Sequence, residues 1–198
     1  MQTIGLIGGM SAESSAEIEA WQRAGDWQSA GKRLAGAAQT LERAGADMVL
    51  LCTNTMHHVA GTIEASIGVP FVHIADATAQ RVLAAGLTAV GLLGTRFTME
   101  MDFYRDRMRE HGLEILIPDE PGRTLVHDVI YTELTQGRAE ESSRAAYRRV
   151  MAGLAERGAQ GIIYGCTEIP LLVGPQDSPV PVFDSTRIHV EHALDLAL

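Results

Sequence analysis

"LERAGADMVLLCTNT", residues 41 to 55, and "LAERGAQGIIYGCTEI", residues 154 to 169, carry one pattern twice: the end of a helical segment, a glycine, a short apolar run, and a cysteine followed by threonine. After each comes "VP", a short strand-like run and an Asp where a helix should begin, in "VPFVHIADAT" (69 to 78) and "VPVFDSTRI" (180 to 188). Upstream, "GLIGGM" at Gly5 matches "GLLGTR" at Gly91. Solenoid arrays need three or more shorter repeats, so two copies this long point to duplication of an α/β unit.

Working outward, apolar runs bounded by Gly, Pro or Asp predict strands at 3–9, 48–53, 71–75, 88–94, 114–117, 161–165 and 181–183. Between them Leu34, Ala37, Ala38 and Leu41, and later Tyr147, Val150, Met151 and Leu154, recur at helical spacing. Strands alternating with helices imply an α/β fold with parallel sheets. The expected architecture is two pseudo-symmetric lobes, 1–86 plus 185–198 and 87–184, with an active site in the cleft between them.

The repeats are unequal. Gly5 to Cys52 spans 47 positions and Gly91 to Cys166 spans 75, so the first copy is 28 residues shorter. In the second copy that interval holds a helix (98–111), a strand and two further helices. In the first, residues 11–47 offer only polar, Ala-rich helical sequence. Either the first lobe lacks a helix and a strand, or a segment is absent near Ser15 and Ala16. The turn and helix start at Met10 to Ala16, cut short, point to the second.

Among the 198 residues 46% are apolar, enough for a substantial core, and the net charge of -9 without a Lys/Arg cluster argues against nucleic acid or an anionic membrane as partner. No apolar stretch approaches the ~20 residues of a membrane span, and a cytoplasmic protein is expected. In that compartment two cysteines are expected as free thiols.

Ligands of open parallel sheets sit beyond the carboxyl ends of the strands, where both Cys52 and Cys166 fall. Two thiols at one carbon could remove a proton from one face and return it to the other. A helix N-terminus lowers a thiol's pKa, so a thiolate and a thiol are expected together at neutral pH. Thr53, Asn54 and Thr55 should open a helix whose free N–H groups suit a carboxylate. Thr167 and Glu168 stand in the matching place, Glu168 suiting an ammonium. Asp76 and Asp184 read first as helix N-caps. Gly5, Gly8 and Gly9 do not make a nucleotide-binding GxGxxG. No metal site is expected: adjacent His57 and His58 point apart on a helix and read as surface residues. His73 reads as core, as do Met99 and Met101, which need no cofactor.

The segments "GLIGGMS", "LCTNTMH", "HIADAT", "LLGTRFTME", "FY", "GCTEIPLL" and "PVFDST" span nearly the whole chain. Together they resemble the aspartate/glutamate racemase family, in its aspartate racemase and broad-specificity branch; glutamate racemases carry GCTH. The resemblance implies a cofactor-independent amino-acid racemase, commonly a homodimer, with Cys52 and Cys166 as the acid/base pair. It also implies Thr53, Asn54 and Thr55 as the carboxylate site, and Met10, Ser11, Thr95, Thr98, Thr167 and Glu168 as further substrate-binding positions. The family's first lobe carries a helix and strand after "GGMS" whose following loop supplies a cation for an acidic side chain, and no residue here takes that place. Thr135 stands where some relatives have another basic residue, and Arg96 is a weak substitute. Three other readings accompany this one: a non-catalytic amino-acid binder with a shortened first lobe, a related lyase, isomerase or decarboxylase, whose sequences often keep one cysteine, and a redox thiol pair.

Overall fold

The computed structural model describes residues 2–8 and 12–198, the side chains of 12–15 excepted. Met10 and Ser11 lie outside the described residues. The strands are β1 (Ile4–Ile7), β2 (Met48–Leu51), β3 (Phe71–Val72), β4 (Ala89–Gly94), β5 (Glu114–Leu116), β6 (Ile162–Gly165) and β7 (Val182–Asp184). The α-helices are α1 (Ala12–Ala24), α2 (Trp27–Arg43), α3 (Ala60–Glu64), α4 (Ile74–Ala84), α5 (Arg96–Glu100), α6 (Asp102–Glu110), α7 (Glu120–Thr132), α8 (Glu141–Glu156), α9 (Ile169–Leu172) and α10 (Ser185–Ala197). Each of the seven expected runs contains or overlaps one strand. The expected helix at 98–111 is two, because Met101 is extended at φ -74°, ψ 146° and breaks the ladder between α5 and α6.

Contacts divide the chain into two compact units, Met1–Ile74 with His189–Leu198, and Ala75–Ile188. These limits lie at 74/75 and 188/189, where the sequence suggested 86/87 and 184/185. In the first unit the sheet order is β1-β2-β3, all parallel. β2 is buried along its whole length, which explains the unbroken apolar run "MVLL". Successive side chains alternate: Val49 and Leu51 join Leu34 and Ala38 of α2, whereas Met48 and Leu50 join Ala193 and Ala197 of α10.

The second unit has the order β5-β4-β6-β7, again parallel. Its core sets Ile162 and Tyr164 of β6 against Val126 of α7 and Tyr147, Met151 and Leu154 of α8. The duplication shows in the registers, since Gly5 pairs with Val49 as Gly91 pairs with Ile162. Both glycines permit close helix approach. A Cβ on Gly5 would stand 3.1 Å from the Cβ of Leu41, and one on Gly91 2.9 Å from Cδ1 of the equivalent Leu154.

Among the described residues β5 has no counterpart in the first copy. α1 passes without a break through Ser15 and Ala16, and among the described residues no strand lies between β1 and β2. β1 is therefore an edge strand where β4 is internal. Leu6 is 57% exposed, and its repeat equivalent Leu92 is 0% exposed. On the helices, five positions between Arg33 and Leu41 on α2 line an open groove beside Leu6, and the same five on α8, Ala146 to Leu154, line an open groove with the first turns of α7.

Candidate functional site

Cys166 follows β6 directly, and the carboxyl end of β4 lies beside it through the pairing of Gly94 with Gly165. Thr95 caps α5, its hydroxyl accepting from the N–H of Thr98 at 3.3 Å and lying 3.2 Å from the Thr98 hydroxyl. Thr98 is fully buried, and a Cβ on Gly94 or Gly165 would press on it at 3.2 or 3.3 Å. Thr98 thus packs tightly against both paired strand ends and holds the turn; in this conformation it does not line open space.

One oxygen of Glu168 accepts from both neighbours before it, from the Cys166 thiol at 2.9 Å and the Thr167 hydroxyl at 2.6 Å. Burial pushes the Cys166 thiol far above its ordinary range, and the negative charge of Glu168 pushes it further. Cys166 is only partly buried, at the margin of its unit's core. Thr167 is exposed.

In the first unit Cys52 follows β2, its N–H donating to the carbonyl of Ile7 at 2.8 Å and extending the ladder by one residue. Burial alone raises its thiol. Cys52 and Thr53 are partly exposed, whereas Asn54 and Thr55 are buried. Counted from the equivalent pairs, Cys52 stands three residues beyond Val49 and Cys166 four beyond Ile162, although each is the first residue after its strand. Both are free thiols.

Several expectations need correction. The segments after the cysteines are a 3-10 turn, Thr55–Val59, and a four-residue helix, α9. Such short segments carry little macrodipole, and burial wins, so both thiols are raised and no thiolate is favoured at rest. Asp76 is not a cap; it lies in the first turn of α4 and forms a two-pronged pair with Arg107 at 2.7 Å for each bond, with His111 at 2.8 Å. Asp184 does cap, accepting from the N–H groups of Thr186 and Arg187 at 3.0 and 3.1 Å. Arg96 is occupied by Thr124 at 3.0 Å. Thr135 bonds back to the carbonyl of Tyr131 at 3.0 Å.

His57, expected at the surface, is buried. It is 3% exposed, with Nδ1 2.7 Å from the Thr53 carbonyl and Nε2 3.2 Å from the N–H of Ile74. The four-residue spacing from Thr53 was the available signal, since it lets a side chain reach back to a carbonyl one turn earlier. Its neighbour His58 lies edge-on to Trp27 at 4.6 Å between ring centres.

Similarity to known proteins extends over both the sequence and the fold. The family model for Asp/Glu/hydantoin racemases matches residues 6–193. The broad-specificity amino-acid racemase RacX of Bacillus subtilis is 25% identical over 155 residues, 78% of this chain and 66% of RacX, so this chain spans slightly under two thirds of that relative. A crystal structure from Yersinia pestis, provisionally assigned to the Asp/Glu racemases, is 47% identical and superposes with a TM-score of 0.93 over 100% of this chain and 99% of that one. The aspartate racemase homologue PH1733 from Pyrococcus horikoshii is 32% identical with a TM-score of 0.84, covering 100% and 99% of the two chains. With two α/β units of parallel strands and a match that runs from the first strand into the last helix, the chain belongs to the Asp/Glu/hydantoin racemase family.

Proposed function

We propose that this protein racemises a small α-amino acid, of the aspartate/glutamate type or with broad specificity, without a cofactor, and that Cys52 and Cys166 are the two groups that exchange protons with Cα. The observation that carries the reading is the pair of free, partly exposed thiols, each just past the carboxyl end of a buried parallel strand in repeat-equivalent units. In one direction a Cys thiolate removes the Cα proton while the other cysteine, as a thiol, delivers a proton to the opposite face; in the reverse direction the roles exchange.

At rest both cysteines hold their protons, so one of them, Cys166, must release its proton to solvent as the substrate binds. Glu168 suits this step. Its charge raises the Cys166 thiol, and a substrate ammonium arriving beside it offsets that charge. The peptide groups from Thr53 to Thr55 are the proposed carboxylate site. Compensating the negative charge of the substrate carboxylate in this way raises the acidity of the Cα–H.

The test is exchange at Cα in heavy water with enantiopure aspartate, glutamate and neutral amino acids. Deuterium incorporation with at least one of them is expected, and Cys52→Ser and Cys166→Ser should each reduce it by about 10²–10⁴-fold. Absence of exchange with every substrate in folded protein defeats the reading, as does full activity in both serine variants.

A further inference from the structure

His57 is buried beside the Cys52 turn, and both of its ring nitrogens meet backbone groups of fixed polarity. The Thr53 carbonyl, 2.7 Å from Nδ1, can only accept; the Ile74 N–H, 3.2 Å from Nε2, can only donate. A single protonation state satisfies both: neutral imidazole with its hydrogen on Nδ1 and its lone pair on Nε2. The ring is also held edge-on by His73, with centres 4.5 Å apart and planes at 65°, and it lies 5.6 Å from Phe71 and 6.0 Å from His189. All these groups lie in the first unit.

The consequence falls on the peptide group joining Thr53 to Asn54. In a planar trans peptide the carbonyl and the N–H point in opposite directions. Fixing the Thr53 carbonyl against Nδ1 therefore turns the Asn54 N–H away from His57, and fixes the exit of the chain from Cys52. The Thr53–Asn54 peptide cannot rotate without breaking this part-buried hydrogen bond to the ring, and the backbone leaving Cys52 is restrained with it.

We infer that His57 is a positioning residue which, through its Nδ1–H bond to Thr53, sets the orientation of the Cys52 thiol and of the Asn54 N–H that receives the substrate carboxylate. The carboxylate half of this inference rests on the racemase reading; the thiol half does not. Two variants separate the ring's contacts. In His57→Asn the amide nitrogen stands near the place of Nδ1 and can still donate to Thr53. In His57→Gln the amide oxygen reaches the place of Nε2 and can accept from Ile74, but the bond to Thr53 is lost.

Alkylation of Cys52 by iodoacetamide, followed by peptide mass with Cys166 as internal reference, reports on the thiol whether or not the protein is an enzyme. His57→Gln should change the Cys52 rate by at least about fivefold and leave Cys166 unaltered, with His57→Asn close to the parent chain. In the exchange assay His57→Gln should raise KM by about tenfold or more, with a smaller fall in kcat, and His57→Asn should restore KM. Equal effects of the two variants on Cys52 would reduce His57 to packing and overturn the inference. A Cys52 split between the variants in a protein that catalyses no exchange would leave the positioning role standing and remove the racemase reading. Should either variant not fold, the ¹⁵N shifts of the His57 ring in the unaltered chain decide: the Nδ1–H tautomer is expected, and an Nε2–H tautomer or imidazolium near neutral pH overturns the inference.

Discussion

Glu168 shows how one carboxylate tunes one sulfur. It accepts from Cys166 at 2.9 Å, and because an anion beside a thiol disfavours thiolate formation, its charge adds to the effect of burial. Glu168→Gln removes the charge and leaves the burial. The Cys166 thiol should then titrate lower than in the parent but still above the ordinary value, so its alkylation rate at a fixed mildly alkaline pH should rise about tenfold while that of Cys52 stays the same. Unchanged or slower alkylation of Cys166 in that variant would show that burial alone sets its proton affinity. Cys52 has no such partner among the causes of its shift. The two thiols therefore answer differently to charge, although the sequence presents them in matching frames.

At the scale of the elements, the missing counterpart of β5 changes the position of β1 in its sheet more than it changes β1 itself. Leu6 and Leu92 occupy equivalent strand positions, yet Leu6 stands exposed on an edge strand and Leu92 buried on an internal one. Leu92→Ala empties a closed site and should cost about 2–5 kcal/mol. Leu6→Ala removes atoms already in water and should cost less than about 0.5 kcal/mol. Urea titration of the two variants measures the difference; equal costs would mean that Leu6 is covered in solution. Helix structure was less legible than strand structure. The break at Met101 depends on an extended residue between two helical turns, and the pattern of apolar positions carries no mark of it.

For the whole molecule, buried titratable groups bound the pH range of stability from both sides. His189 is lowered by its burial, as is His58, and His127 is lowered by burial and by Arg96. A base with a depressed pKa in the folded state contributes fully above its ordinary value of 6.5, and this contribution is lost as pH falls below it. Cys166, Tyr104, Tyr147 and Tyr164 are raised, chiefly by burial. Such acids contribute fully below their ordinary values, from 9.0 for the thiol, and this contribution declines as pH rises through them. The urea midpoint followed by circular dichroism should therefore be highest between about 6.5 and 9 and fall on either side. A midpoint that still climbs at pH 10, or that holds level at pH 5, would contradict this balance. By itself the sequence determined the duplication, the seven strands, the parallel α/β class and the position of both cysteines past strand ends, because apolar runs, glycine stops and strand spacing are local properties written along the chain. Only the tertiary structure decided that both thiols rest protonated, that Asp76 pairs with Arg107 instead of capping a helix, and that His57 links Thr53 to Ile74. Each of these depends on burial and on partners brought together from separate segments, and no local pattern encodes the dielectric or the neighbour that a fold supplies.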